Sequence, residues 1–329
     1  MSQISTYRGS MCRSLRATAI AIAGMAAVVS AAFAADLRIG IGERYVDESG
    51  QEQMRVMTME EFMAAAATPQ FFEIRPSVRF LSSGNNVEQE NNVAFACVNA
   101  FTGQLILFCD ITVTLEDVID DGGHHHVDPA FPRPLGEFDP PSGNSGADGF
   151  FDTTYIAPEV SGSVLFRVVG VDTIGGAFIP PIELSILVRV PNLVNLPPSP
   201  IYDLIGDVPG VHIFNHFGTS VMNAKVTKLA TAFTAKFPGR KLELNDISLP
   251  LGGIFDVCAR AGDCASGQKP WQFPHRTHRF GDNIDVRSFT VSATEKREFE
   301  KIATRLKLTL KVENKPPHFH LTFFGTLPP

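Results

Sequence analysis

Two short stretches hold the side chains of this sequence best suited to do chemistry. PHRTHRFGDNIDVR, residues 274–287, places His275 and His278 three apart, follows them with Gly281, and sets Asp285 seven residues after His278. KPPHFHLTF, residues 315–323, adds His318 and His320. Four of the chain's nine histidines therefore fall in two clusters, which favours a shared role over scattered surface positions. Imidazole and carboxylate both suit Zn2+, and a catalytic zinc takes three protein ligands while keeping a fourth position for water.

The local pattern puts these groups on defined faces. Successive side chains of a strand point to opposite sides. In HFHLTF one side carries His318, His320 and Thr322, and the other Phe319, Leu321 and Phe323. The two imidazoles then stand about 7 Å apart. FGDNIDVR alternates in the same way, with Ile284 and Val286 on one side and Asn283, Asp285 and Arg287 on the other. Gly281 permits a tight turn between His278 and that strand. From spacing alone, His278, Asp285 and one of His318 or His320 supply the ligands. The remaining histidine is free to take a proton or stabilise charge on an attacked carbonyl.

The surrounding elements read as a small α/β domain over residues 205–329. TSVMNAKVTKLATAFTAKFPG predicts an amphipathic helix capped by Thr219, with Met222, Val226, Leu229, Phe233 and Phe237 as its apolar stripe. SATEKREFEKIATRL predicts a second, opened by a Ser292/Glu295 capping box. KLELNDISL, KLTLKV and HFHLTFF predict strands, with Leu308, Leu310 and Val312 inward on the second.

The histidine stretches resemble the LAS metallopeptidases, the lysostaphin and D-Ala-D-Ala peptidase group. That pattern is a small hydroxyl residue, then His-x-x-Gly-x-x-x-Asp, and later His-x-His. Thr277, His278, Gly281, Asp285, His318 and His320 match it. NDISLPLGG, residues 245–253, is similar to the segment before this motif in penicillin-insensitive murein endopeptidases, the closest subgroup, and His275 matches a histidine found in some of them. The resemblance covers about residues 240–329. It implies an antiparallel sheet, His278, Asp285 and His320 as zinc ligands, and His318 as the catalytic histidine. The sequence departs from the pattern in an insertion bearing Cys258 and Cys264, in a short connection between Asp285 and His318, and in threonine rather than serine before His278.

The remainder of the chain bounds the setting. Residues 1–34 carry Arg8, Arg13 and Arg16, then an apolar run ending in AFA, the pattern of a secretory signal peptide. Export, periplasmic or extracellular, is the expectation. No later segment is apolar enough to span a bilayer. With 28 basic against 35 acidic residues, the chain is a poor partner for nucleic acid. Residues 35–72 form an N-terminal segment. Residues 73–193 contain short runs rich in β-branched and aromatic residues, such as NVAFACV and GSVLFRVVGV, separated by turn residues. They predict a β-sandwich, and the stretch PSGNSGADGFFDTTYIAPEVSGSVLFRVV loosely resembles bacterial immunoglobulin-like modules. Residues 194–204, rich in proline, read as the interdomain linker.

Four cysteines follow the leader, and three connectivities are open to them. Cys97 and Cys109 are symmetric about Gly103, so a hairpin would bring them side by side, and Cys258 and Cys264 enclose a short loop, which favours Cys97–Cys109 and Cys258–Cys264. Further candidates are Asp246 as an acceptor for a ligand histidine, Arg287 beside the site, and Trp271 as a cleft wall or a loop anchor. His124, His125 and His126 are adjacent and converge poorly on one ion, and His212 and His216 favour packing or capping roles. The functional expectation is an exported zinc peptidase hydrolysing an amide in cell-wall or other short peptides, with zinc-activated water as nucleophile. The alternative is a secreted, non-catalytic binding or structural protein that keeps the metal.

Overall fold

The computed structural model describes residues 37–47, 49–58, 60–61, 73–77, 88–118, 132–206, 214–254, 271, 278–314 and 317–323. The leader, His124–126, His212, Cys258 and Cys264, His275 and Thr277 lie outside the described residues. The protein is β-rich, with two α-helices among the described residues.

Two sheets pack face to face over residues 37–188. The first has the order β2-β1-β4-β9-β7, where β1 is Leu37–Val46, β2 Glu52–Val56, β4 Glu90–Asn99, β7 Glu137–Asp139 and β9 Phe150–Ile156; the short β5, Leu105–Ile106, also pairs with β4. The second has the order β3-β11-β10-β6-β8, with β3 Glu73–Ile74, β6 Cys109–Asp117, β8 Ser142–Asn144, β10 Gly162–Asp172 and β11 Phe178–Val188. Alternate side chains from both meet in one core, including Ile39, Phe95 and Tyr155 from the first and Ile111, Phe166 and Ile186 from the second. Alternation of buried and exposed positions along β6 and β10 is what a sheet with one face in the core requires.

Two sequence expectations change here. Part of the expected N-terminal segment joins the sandwich, because β1 runs antiparallel to β4 from Leu37 opposite Asn99 to Gly42 opposite Ala94. Its strand signal is masked by Gly40 and Gly42. A Cβ on Gly40 would come within 2.6 Å of Val56 Cγ1, and one on Gly42 within 2.8 Å of Ala94 Cβ, so close packing excludes side chains there. Cys97 and Cys109 are bonded, but not across a hairpin. Cys97 lies opposite Ile106 within the first sheet, and the chain then crosses so that Cys109 opens β6 in the second. The bridge joins the two sheets through the core.

The third sheet has the order β13-β15-β16-β18-β17: β13 Tyr202–Leu204, β15 Leu242–Leu244, β16 Asn283–Arg287, β17 Thr309–Asn314 and β18 Pro317–Thr322. Its β13–β15 pair is parallel and the others antiparallel, so the expected all-antiparallel arrangement holds only from β15 onward. The helices α1, Ser220–Lys236, and α2, Ala293–Arg305, cover one face. Thr219 caps α1, its hydroxyl accepting from the Met222 amide, and Ser292 with Glu295 forms the capping box of α2. Val226, Leu229 and Phe233 of α1 and Phe299 and Ile302 of α2 pack on Ile284, Val286, Phe319 and Leu321 of the sheet, with Phe299 stacked on Phe319 at 4.7 Å between ring centroids. Leu310 is half-buried as expected, but Val312 is exposed, since β17 is the sheet edge.

Residues 194–204 are likewise more than a linker. β12, Leu193–Asn195, pairs antiparallel with β14, Phe217–Thr219, and β13 pairs with β15. The prolines 197, 198 and 200 sit between these short strands, where no ladder donor is needed.

Replacing both Cys97 and Cys109 with alanine should destabilise the sandwich by roughly 3 kcal/mol, the loop-closure value for a bridge of this span. Urea unfolding of the oxidised wild type against C97A/C109A measures it. Equal midpoints would show that the bridge adds nothing to the packed core.

Candidate metal centre

The face of the third sheet turned away from the helices carries the histidine cluster. Pairing of β16 with β18 sets Asp285 opposite His320, Arg287 opposite His318, and Asn283 opposite Thr322. His278 reaches the same point from the turn before β16. Gly281 makes that turn with φ of 67°, and a Cβ on it would come within 2.5 Å of Leu193 and 3.0 Å of the Gly218 Cα. No side chain fits that approach.

His278, Asp285 and His320 form a buried group able to hold a metal ion, one ligand atom from each lying within 4.8 Å of the others. Asp285 is central. Its Oδ1 is 2.8 Å from His320 Nδ1, and its Oδ2 is 3.4 Å from both His278 Nε2 and His318 Nε2. The His278 and His320 rings stand nearly perpendicular with centroids 5.1 Å apart.

The ring nitrogens turned away from this point are engaged. His278 Nδ1 lies 3.1 Å from the Ile247 carbonyl and donates to it, which turns Nε2 toward Asp285. His320 Nε2 lies 3.2 Å from Asn283 Oδ1. Asn283 is itself oriented, because its Nδ2 donates to Asp282 Oδ1 at 2.5 Å while its Oδ1 accepts from the Thr322 hydroxyl. His320 therefore donates from Nε2 and turns Nδ1 toward the centre, where it would present a lone pair to a bound cation. The donor set of two neutral imidazoles and one carboxylate fits a divalent cation such as zinc.

His318 is less buried than the other three. Its Nε2 is also 3.5 Å from Glu313 Oε2, across the β17–β18 pair. A hydrogen bond from Lys311 lowers the pKa of Glu313 and keeps it a carboxylate. Glu313 was missed in the sequence; its signal is its position directly opposite His318 once the register is known.

Other candidates have different settings. The Asp246 carboxylate accepts from Asn215 Nδ2 at 2.5 Å and Asn245 Nδ2 at 3.2 Å, while its backbone carbonyl accepts from the Asp285 amide. The Arg287 guanidinium bonds Glu243 at 3.1 Å. His216 is buried with Nε2 3.3 Å from the Leu244 carbonyl, a packing position. Trp271 lines a cavity of about 290 Å³ with residues 134–137 and 156–160 of the sandwich, and no residue of the histidine cluster is among that lining.

Burial opposes charge on His278, but the Asp285 carboxylate outweighs it and raises the histidine pKa above its ordinary value. Burial likewise opposes charge on Asp285, but hydrogen bonds from His278 and His320 outweigh it and hold the carboxyl well below the usual range. No protein-family model matches the chain, and no curated protein matches it.

These shifts fix a sign for the metal-stripped protein. A raised histidine pKa contributes stability that is full below the ordinary value and is lost as pH rises through the folded one. The depressed Asp285 contributes above its ordinary value of 3.8 and loses this only as pH falls through its folded value. Chelator-treated protein should therefore lose stability as pH rises above the ordinary histidine value of 6.5, and Asp285→Asn should flatten that decline. Urea unfolding at several pH values measures both, and parallel slopes would show the pair uncoupled.

Proposed function

We propose that this chain is an exported zinc peptidase whose C-terminal module resembles the LAS metallopeptidases, joined to an immunoglobulin-like sandwich, and that it hydrolyses an amide bond in cell-wall or other short peptides. The observation that carries the reading is that His278, Asp285 and His320 are buried together with one ligand atom of each within 4.8 Å of the others, while the outer nitrogen of each ring already donates elsewhere. The signal-like leader and the acidic composition agree with export and with a peptide rather than nucleic-acid partner.

In this reading His278, Asp285 and His320 hold the ion, which supplies a water of lowered pKa and a Lewis acid for the scissile carbonyl. His318 stands beside the same carboxylate oxygen without belonging to the buried triad. It accepts a proton at Nε2 or stabilises developing negative charge. Glu313 Oε2 lies 3.5 Å from that nitrogen. The rival reading keeps the metal without turnover, and zinc content with no cleavage of muropeptides would select it.

The two histidines of β18 should fail differently. His320→Ala and Asp285→Ala should lose zinc and hydrolysis together. His318→Ala should keep most of its zinc and lose about 10²–10⁴ in rate, chiefly in kcat. Metal analysis and muropeptide hydrolysis on the single variants test this. Loss of metal in His318→Ala with retention in His320→Ala would exchange the roles, and full activity in both would end the peptidase reading.

A further inference from the structure

The turn that carries His278 is seamed to the sandwich. Arg279, the next residue, is one of the largest fully buried side chains, 2% exposed, and its Nη1 donates to Glu159 Oε1 at 2.7 Å. Glu159 lies in the connection between β9 and β10, 120 residues away in sequence. The backbone is tied at the same place. The Gly253 amide donates to the Arg279 carbonyl at 3.0 Å, the Ile254 amide to the Glu159 carbonyl at 3.0 Å, and the Ser161 hydroxyl to the Gly252 carbonyl, while Val160 and Gly253 form an antiparallel bridge.

This seam tolerates no added bulk. Gly252 and Gly253 have φ of 75° and 76°, and a Cβ would come within 2.6 Å of the Arg279 carbonyl at the first and of the Ser161 amide nitrogen at the second. The segment that ends in these glycines begins with Ile247, whose carbonyl receives His278 Nδ1–H. One stretch of backbone thus sets the rotation of the His278 ring and is itself fastened to the sandwich.

We infer that the sandwich is part of the metal centre's support, with Glu159 as a positioning residue that acts through Arg279 on His278. The inference rests on the metal reading above. Its chemistry is that of an outer partner: a ligand held at the correct rotation binds without first being ordered, and loss of such a partner costs ~10–100-fold in metal affinity. Removing the Glu159 carboxylate leaves a guanidinium in a buried position, and the turn moves to relieve it.

The test uses the full mature chain and zinc alone, with affinity read by chelator competition well below the melting temperature of every variant. Cobalt substitution adds a visible spectrum that reports ligand geometry. Glu159→Ala should weaken zinc binding about tenfold or more and alter the cobalt spectrum, although Glu159 belongs to the other module. Ser161→Ala should do the same in smaller degree. A role confined to stability would lower the melting temperature of the folded variants while leaving affinity and spectrum at wild-type values, and that result overturns the inference. Should Glu159→Ala not fold, Glu159→Gln, which keeps the volume and removes the charge, is read by the same criteria. If wild-type protein binds no zinc, the metal reading itself fails and takes the inference with it, an outcome distinct from equal binding by wild type and variant.

Discussion

The pairing of β16 with β18 is the constraint on which the site depends. Asp285 faces His320 across that ladder, and each strand sends its alternate residues, Ile284, Val286, Phe319 and Leu321, into the core under the helices. A slip of one residue would move every apolar side chain of one strand out of the core and turn its ligands into it. Register is therefore enforced by hydrophobic burial, and the ligand geometry follows from the same choice. The strands need no separate interaction to bring the carboxylate and the imidazole together.

His278 is placed by other means, because it lies on a turn rather than in the ladder. The turn is clamped on two sides. Gly281 presses against Leu193 and Gly218, and its carbonyl accepts from the Thr219 amide at the cap of α1. On the other side, Arg279 enters the seam with Glu159, Gly252 and Gly253. Leu193 and the sandwich residue Glu159 thus both brace the turn that carries His278. An ordered turn matters for affinity, since a ligand that is fixed before binding loses less conformational freedom when the ion arrives.

How legible each feature was follows from the range of its cause. The alternation in HFHLTF and NIDVR is a local period of two, so both faces could be read directly, as could the caps of the two helices at Thr219 and Ser292. The Cys97–Cys109 pair was legible as a pair, but its geometry was not, because symmetry about Gly103 cannot tell a hairpin from a crossing between sheets. The place of β1 in the sandwich was hidden by Gly40 and Gly42, which weaken a strand's signal while close packing demands them. Prolines marked residues 194–204 as a break, and the short strands on either side of the break depend on partners far along the chain. The contact of Arg279 with Glu159 has no local signature at all. Next to a candidate ligand, an arginine reads as a surface charge until the fold buries it.

A carboxylate buried among three imidazoles needs a compensating positive charge, and the centre can obtain it in two ways. Without metal, a proton on His278 serves, and the Asp285 carboxylate raises that pKa against the effect of burial. With a divalent cation, the rings must be neutral and present lone pairs, as the bonds of His278 Nδ1 to Ile247 and His320 Nε2 to Asn283 already arrange. A proton and a divalent cation would therefore compete for this cluster. If the cluster binds a cation, the same arrangement ties metal affinity to pH through His278, on the turn that Arg279 fastens to Glu159.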